Sequence, residues 1–145
     1  MRPLVIDTCV LVDMFVATRK RHAEAEKLGR FLVDNKISVR VPAFSLYELA
    51  SALKNEGINY PYKFQKGITE DNPLLIDFIP VDEAFITKYL DESLPYSKAG
   101  DLLILSLSKK EDAYLITEDD RLYERAKAAG VQVFRIEEFL NQLAL

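Results

Sequence analysis

The stretch LVIDT, residues 4–8, places a carboxylate directly after three apolar residues near the start of the chain. The apolar run predicts a short buried strand that ends at Asp7 and Thr8. A carboxylate in that position is expected to be partly buried, which costs free energy unless it is hydrogen-bonded or bound to a metal ion. We therefore predict a functional role for Asp7, with capping of the following helix as the structural alternative.

Apolar segments that alternate between strand and helix patterns follow along the rest of the chain. Further strands are predicted at residues 37–41, 74–81, 113–116 and 131–134. Helical spacing of apolar residues predicts helices over residues 10–15, 22–35, 43–56, 82–90, 98–110, 120–129 and 136–143. This alternation predicts one α/β domain over residues 1–145, with a five-stranded, mostly parallel sheet and helices on both faces.

Three more acidic residues are predicted near the edge of the sheet where Asp7 lies. Asp119 follows the fourth predicted strand, whereas Glu48 and Asp101 lie near the starts of predicted helices. In an open α/β sheet, ligands bind outside the carboxyl ends of the strands. Carboxylates gathered there repel one another, and a hard divalent cation with oxygen ligands relieves that repulsion. The four acids together predict metal-assisted phosphodiester chemistry.

Each of these acids also has a structural explanation when it is considered alone. Glu48 fits a capping box at the start of its helix. Asp101 could cap the helix that follows it, and Asp119 competes with Asp120 for the cap of another. Thr117 could bond the backbone of the same turn. These alternatives stay open for the single residues, and only the set of four favours a shared site.

Composition limits the class of protein. The chain has 145 residues, of which 49% are hydrophobic and 29% charged, and a net charge of −4. This acidity argues against a protein that coats nucleic acid generally, but it does not exclude a nuclease. No apolar run approaches the roughly 20 residues that span a bilayer. A single cysteine, Cys9, which we expect to be buried, excludes an internal disulfide, so we predict a cytoplasmic protein without a membrane segment.

Two sets of residues are candidates for surface contacts. Candidates for contact with a phosphate backbone are Arg19, Lys20, Lys63, Lys66 and Lys98. Candidates for an apolar surface that a homodimer would bury are Leu46, Leu49, Leu53 and the segment Tyr60-Pro61-Tyr62.

The sequence resembles the PIN-domain nucleases at four short motifs. These motifs are Val5-Ile6-Asp7-Thr8, Tyr47-Glu48-Leu49, Gly100-Asp101-Leu102 and Ile116-Thr117-Glu118-Asp119. Their order and the length of the chain are similar to the small VapC-type members of bacterial and archaeal toxin–antitoxin pairs. The resemblance runs from the first predicted strand to the last predicted helix.

The resemblance implies a metal-dependent endoribonuclease with a five-stranded parallel sheet. It places Mg²⁺ or Mn²⁺ at the four acids, Asp7, Glu48, Asp101 and Asp119. Thr8 and Thr117 match polar residues that support the site, and Asp120 is a substitute ligand for its neighbour. The resemblance further implies a homodimer, an RNA substrate and a small antitoxin protein as partner.

Two other functions compete with this interpretation. A PIN-domain protein in RNA processing or ribosome maturation would look similar, and some such proteins are non-catalytic modules that have lost one or more acids. This chain keeps all four. A phosphatase of the haloacid-dehalogenase type also has an aspartate after its first strand, but it needs a second one where this chain has Cys9.

Overall fold

Five short strands form one parallel sheet in the order β3-β2-β1-β4-β5. The computed structural model describes residues 2–58, 74–91, 93–94 and 98–143. The strands are β1 (Leu4–Ile6), β2 (Val39–Pro42), β3 (Ile76–Ile79), β4 (Tyr114–Ile116) and β5 (Gln132–Phe134). Every neighbouring pair is parallel, which confirms the predicted α/β class and makes the sheet wholly rather than mostly parallel.

Helices connect the strands in the order that the apolar periodicity predicts. They are α1 (Thr8–Phe15), α2 (His22–Asp34), α3 (Phe44–Asn55), α4 (Glu83–Tyr89), α5 (Ala99–Lys110), α6 (Asp120–Ala128) and α7 (Ile136–Leu143). Gly57 and Gly130 follow α3 and α6 with φ of 75° and 81°, a left-handed conformation in which a Cβ atom would be strained. None of the described helices is long and apolar enough to cross a membrane.

The central strand separates two apolar cores, one on each face of the sheet. Leu4 and Ile6 of β1 point into the core that α1, α2, α3 and α7 cover, and Val5 points into the core under α5 and α6. All three side chains are fully buried. Since both faces of β1 are covered, the strand has a continuous apolar sequence instead of an alternating one.

The structure corrects one predicted surface. Leu49 and Leu53, which we expected to form an apolar dimer surface, are 0% and 2% exposed and belong to the core beside α1. Leu46 is partly buried against that core. Their helical spacing marks the face that α3 turns to its own domain. The segment Tyr60-Pro61-Tyr62 lies outside the described residues, as do Lys63 and Lys66.

Candidate active site

Pairing of β1 with β4 places the first acid beside the turn that contains Asp119. Ile6 lies opposite Ile116 in the parallel register, and the Asp7 N–H donates to the Ile116 carbonyl at 3.0 Å. The two strands therefore end together, with Asp7 next to Thr117. This agrees with the predicted position of both segments at one edge of the sheet.

Thr117 joins these two segments through its hydroxyl group. The hydroxyl donates to Asp7 Oδ2 at 2.8 Å and accepts the Asp119 N–H at 3.0 Å. The Thr117 side chain is fully buried, so both bonds are shielded from water. A short threonine after the strand thus orients the Asp7 carboxylate and shapes the turn that carries Asp119.

Replacement of Thr117 by valine is expected to lower the free energy of unfolding by about 1–3 kcal/mol, since a buried acceptor and a backbone N–H lose their partner. Urea denaturation of the purified proteins measures this change. Thr18→Val is the matched control, because Thr18 is exposed and its replacement is expected to change stability by less than about 0.5 kcal/mol. Equal stability of the two variants would contradict the bridging role of Thr117.

Glu48 lies in the second turn of α3, where it faces α1 and α5. The Thr8 hydroxyl donates to Glu48 Oε1 at 3.2 Å. A Cβ atom built on Gly100 would lie 3.0 Å from Glu48 Oε2, so the carboxylate packs directly on the start of α5. The alternative role of Glu48 in a capping box is not seen, because α3 begins after Ala43 without a side-chain cap.

The structure separates the roles of the aspartates at the starts of α5 and α6. Asp101 is the third residue of α5 and does not cap it, since the N-cap position is Lys98. Asp119 caps α6 through Oδ1, which accepts the Leu122 N–H at 2.8 Å. The exposed Asp120 instead forms an ion pair with Arg135 at 2.6 Å. Asp119 both caps the helix and stays close enough to repel other acids of the site.

Mutual repulsion connects the four carboxylates electrostatically. Asp7 is 6% exposed, and its pKa is raised to about 6, with burial as the largest cause. Repulsion from Asp101, Asp119 and Glu48 contributes to this rise, and the Thr117 hydrogen bond opposes it. Burial also raises the pKa of Glu48, with a contribution from Asp101, and the pKa of Asp101, with a contribution from Asp119. Asp7 therefore interacts with each of the other three predicted acids, and Asp101 interacts with Glu48 and Asp119 as well.

The donor atoms suit a hard cation in their chemistry but are not arranged as a finished site. The Thr117 hydroxyl contacts the Asp7 carboxylate, and the Thr8 hydroxyl contacts the Glu48 carboxylate. Oxygens of this kind are the ligand type that Mg²⁺ and Mn²⁺ prefer. Within the ranges that the structure describes, no group of three or more His, Cys, Asp or Glu side chains is placed to hold a metal ion.

Cys9 is exposed, contrary to our expectation of a buried residue.

Sequence analysis missed two basic residues beside the acids. Arg121 and Arg125 of α6, together with Lys98, line a cleft of about 560 Å³. Arg125 Nη1 lies 3.9 Å from Asp101 Oδ2. Arg121 and Arg125 are four residues apart on the helix that begins at the acidic turn. This spacing could have predicted that both lie on one side of the helix.

Comparison with known proteins gives the family. The family model of the PIN domain matches residues 4–128. This chain belongs to the PIN-domain family. PIN domains are generally nucleases, so membership in the family indicates nuclease activity. No curated protein matches the sequence.

Solved structures share the fold at low sequence identity. A domain of a functionally unknown protein from Methanocaldococcus jannaschii is 22% identical, with a TM-score of 0.56 over 93% of this PIN domain chain and 91% of that one. FitAcB from Neisseria gonorrhoeae is 17% identical, with a TM-score of 0.58 over 92% and 98%. VapBC2 from Rickettsia felis, bound to a promoter DNA fragment, is 15% identical, with a TM-score of 0.59 over 91% and 97%. Identities this low show the fold alone.

Proposed function

We propose that this PIN domain is a metal-dependent endoribonuclease whose metal ligands are Asp7, Glu48, Asp101 and Asp119. The observation that carries the proposal is the burial of Asp7 among three other carboxylates. No ion pair joins Asp7 to any basic residue in the described part of the chain. A buried charge without a counter-ion is costly, and a divalent cation removes that cost.

The surrounding residues have distinct roles in this proposal. Thr117 fixes the orientation of Asp7, and Thr8 holds the Glu48 carboxylate toward the same space. A bound Mg²⁺ or Mn²⁺ would supply an acidified water and neutralise charge on the leaving oxygen. The acidic side chains would move closer together to hold it, and the cation's charge makes that approach favourable. Asp120 is not assigned a ligand role, because its carboxylate is paired with Arg135.

Gly100→Ala is expected to reduce metal-dependent cleavage by about 10- to 100-fold without loss of stability, since the added methyl group displaces the Glu48 carboxylate. The end of a glutamate side chain moves easily, so the fold absorbs the change. Gly29→Ala is the matched control: it adds a methyl group to helix α2 in ordinary contact, 3.7 Å from Met14 Sδ. Cleavage rates and thermal unfolding of both variants test this, and equal activity would count against a role for Glu48.

The cellular role that we propose is the toxin of a VapBC-type pair, with a small antitoxin as partner. The motifs that resemble VapC-type proteins support this role, as does the fold shared with VapBC2 from Rickettsia felis. We also propose a single domain over residues 1–145, a cytoplasmic location and a homodimer.

Expression of the chain in cells tests the toxin role. Growth arrest would support this role if a small protein encoded directly upstream relieves the arrest. A chain that is expressed without effect and has no such neighbour would favour RNA maturation.

Cleavage of a labelled single-stranded RNA tests the proposed activity. The purified protein is expected to cut the RNA internally with Mn²⁺ or Mg²⁺ and to lose this activity in EDTA. A mixture of folded cellular RNAs should be included, because a narrow substrate range would hide activity on a single oligonucleotide. Cleavage that persists in EDTA would contradict the metal dependence.

A further inference from the structure

Three cations border the acidic site on one side. The cleft of about 560 Å³ is lined by Lys98, Asp101, Asp119, Asp120, Arg121 and Arg125. Its volume is within the range of roughly 300–1,000 Å³ that is usual for small-ligand sites. Two of its carboxylates, Asp101 and Asp119, belong to the proposed metal site. A group bound in this cleft would therefore lie next to the reacting atoms.

The cations of the cleft differ from Arg19 and Arg21, two other basic residues near the acids, in the ion pairs that they form with carboxylates. Arg19 is 2.9 Å from Asp13, and Arg21 is 3.4 Å from Glu118. By contrast, neither Lys98 nor Arg121 forms an ion pair with a residue in the described ranges, and both are exposed. Arg19 and Arg21 are thus tied to the fold, whereas Lys98 and Arg121 of the cleft are available to a ligand.

Arg125 has the geometry of a side chain that can change partner. Its Nη1 atom lies 3.9 Å from Asp101 Oδ2, longer than the roughly 2.7–2.9 Å of a charge-assisted hydrogen bond. Arg121 is four residues earlier on the same helix and therefore lies on the same side of α6. A guanidinium group matches the oxygens of a phosphate or a carboxylate. In the proposed ribonuclease, the anion that reaches these two arginines and the lysine is a phosphate of the RNA backbone.

We infer that Lys98, Arg121 and Arg125 form a subsite for an RNA backbone phosphate next to the bond that is cut. Arg125 is a positioning residue that pairs with Asp101 in the free protein and transfers to this phosphate when RNA binds. This inference rests on the proposed ribonuclease function.

Binding of a fluorescein-labelled single-stranded RNA, followed by anisotropy in EDTA between about 50 and 200 mM salt, tests the subsite. Lys98→Gln, Arg121→Gln and Arg125→Gln are each expected to weaken binding about tenfold. Each should also lower the slope of log affinity against log salt by about 0.7, the value for one phosphate contact on a single strand. Arg125→Lys should keep the parent slope, because it keeps the charge.

Lys110→Gln is the matched control, because this exposed lysine lies at the opposite end of α5 from Lys98. It is expected to leave both affinity and salt slope unchanged. If the three cleft variants behave like Lys110→Gln while the parent protein binds and cleaves RNA, the subsite is wrong and the proposed function stands. If the parent protein neither binds nor cleaves RNA, both are overturned. Thermal unfolding of each variant shows whether a loss of RNA binding is caused by a loss of folded structure.

Discussion

Replacement of Asp7 by asparagine is expected to reduce metal-dependent RNA cleavage by more than about 100-fold. Even partners that only orient a metal ligand typically contribute 10- to 100-fold, and Asp7 is proposed to be a ligand itself. Asparagine has nearly the same shape and can still accept the hydrogen bond from Thr117, so the fold should be retained. Initial cleavage rates with saturating Mn²⁺ measure the effect.

Asp34→Asn is the control for this substitution, because it removes the same charge from an exposed side chain at the end of α2, outside the cleft. We expect it to keep most of the parent activity. Equal losses in the two variants would show that net charge, and not the position of Asp7, controls cleavage. Full activity of Asp7→Asn would remove Asp7 from the mechanism.

The second large effect concerns stability without metal. In EDTA at pH 7, Asp7→Asn is expected to be roughly 3 kcal/mol more stable than the parent, since the folded-state pKa of Asp7 is about 6 and its ordinary value is 3.8. The fold binds the Asp7 proton more tightly than the unfolded chain does. The parent therefore loses stability from this group as the pH rises from about 4 to 6, and the loss is complete above 6.

Urea denaturation of both proteins across this pH range measures the difference. Groups distant from the site titrate equally in the two proteins, so the difference between them reports Asp7 and the acids that its charge affects. We expect it to be small near pH 4 and largest above pH 6. A difference that does not change with pH, or a parent protein that is more stable at pH 7, would contradict the unfavourable burial of the Asp7 charge.

Local patterns in the sequence predict most of the fold. Each of the five strands and seven helices that we expected is present in the described residues, with ends that differ by a few residues. The adjacency of Asp7 and Thr117 also follows from sequence, because parallel neighbouring strands end at the same edge. What the apolar periodicity could not give is whether an apolar helix face packs in the core of its own domain or against a second copy, as Leu49 and Leu53 show.

The arrangement of side chains within the site depends on tertiary contacts that no local pattern encodes. Glu48 contacts Thr8 and the start of α5 at Gly100 in place of the expected capping box, and both residues are distant from it in sequence. The ion pair of Asp120 with Arg135, 15 residues later, is likewise not encoded in a local pattern.

Calorimetric titration of Mn²⁺ into the purified protein tests most directly whether the four acids form one cation site. We predict saturable binding to the parent and to Asp34→Asn, and at least about tenfold weaker binding to Asp7→Asn. Absence of binding to the parent, or equal binding to the parent and Asp7→Asn, would contradict a metal site at this edge of the sheet.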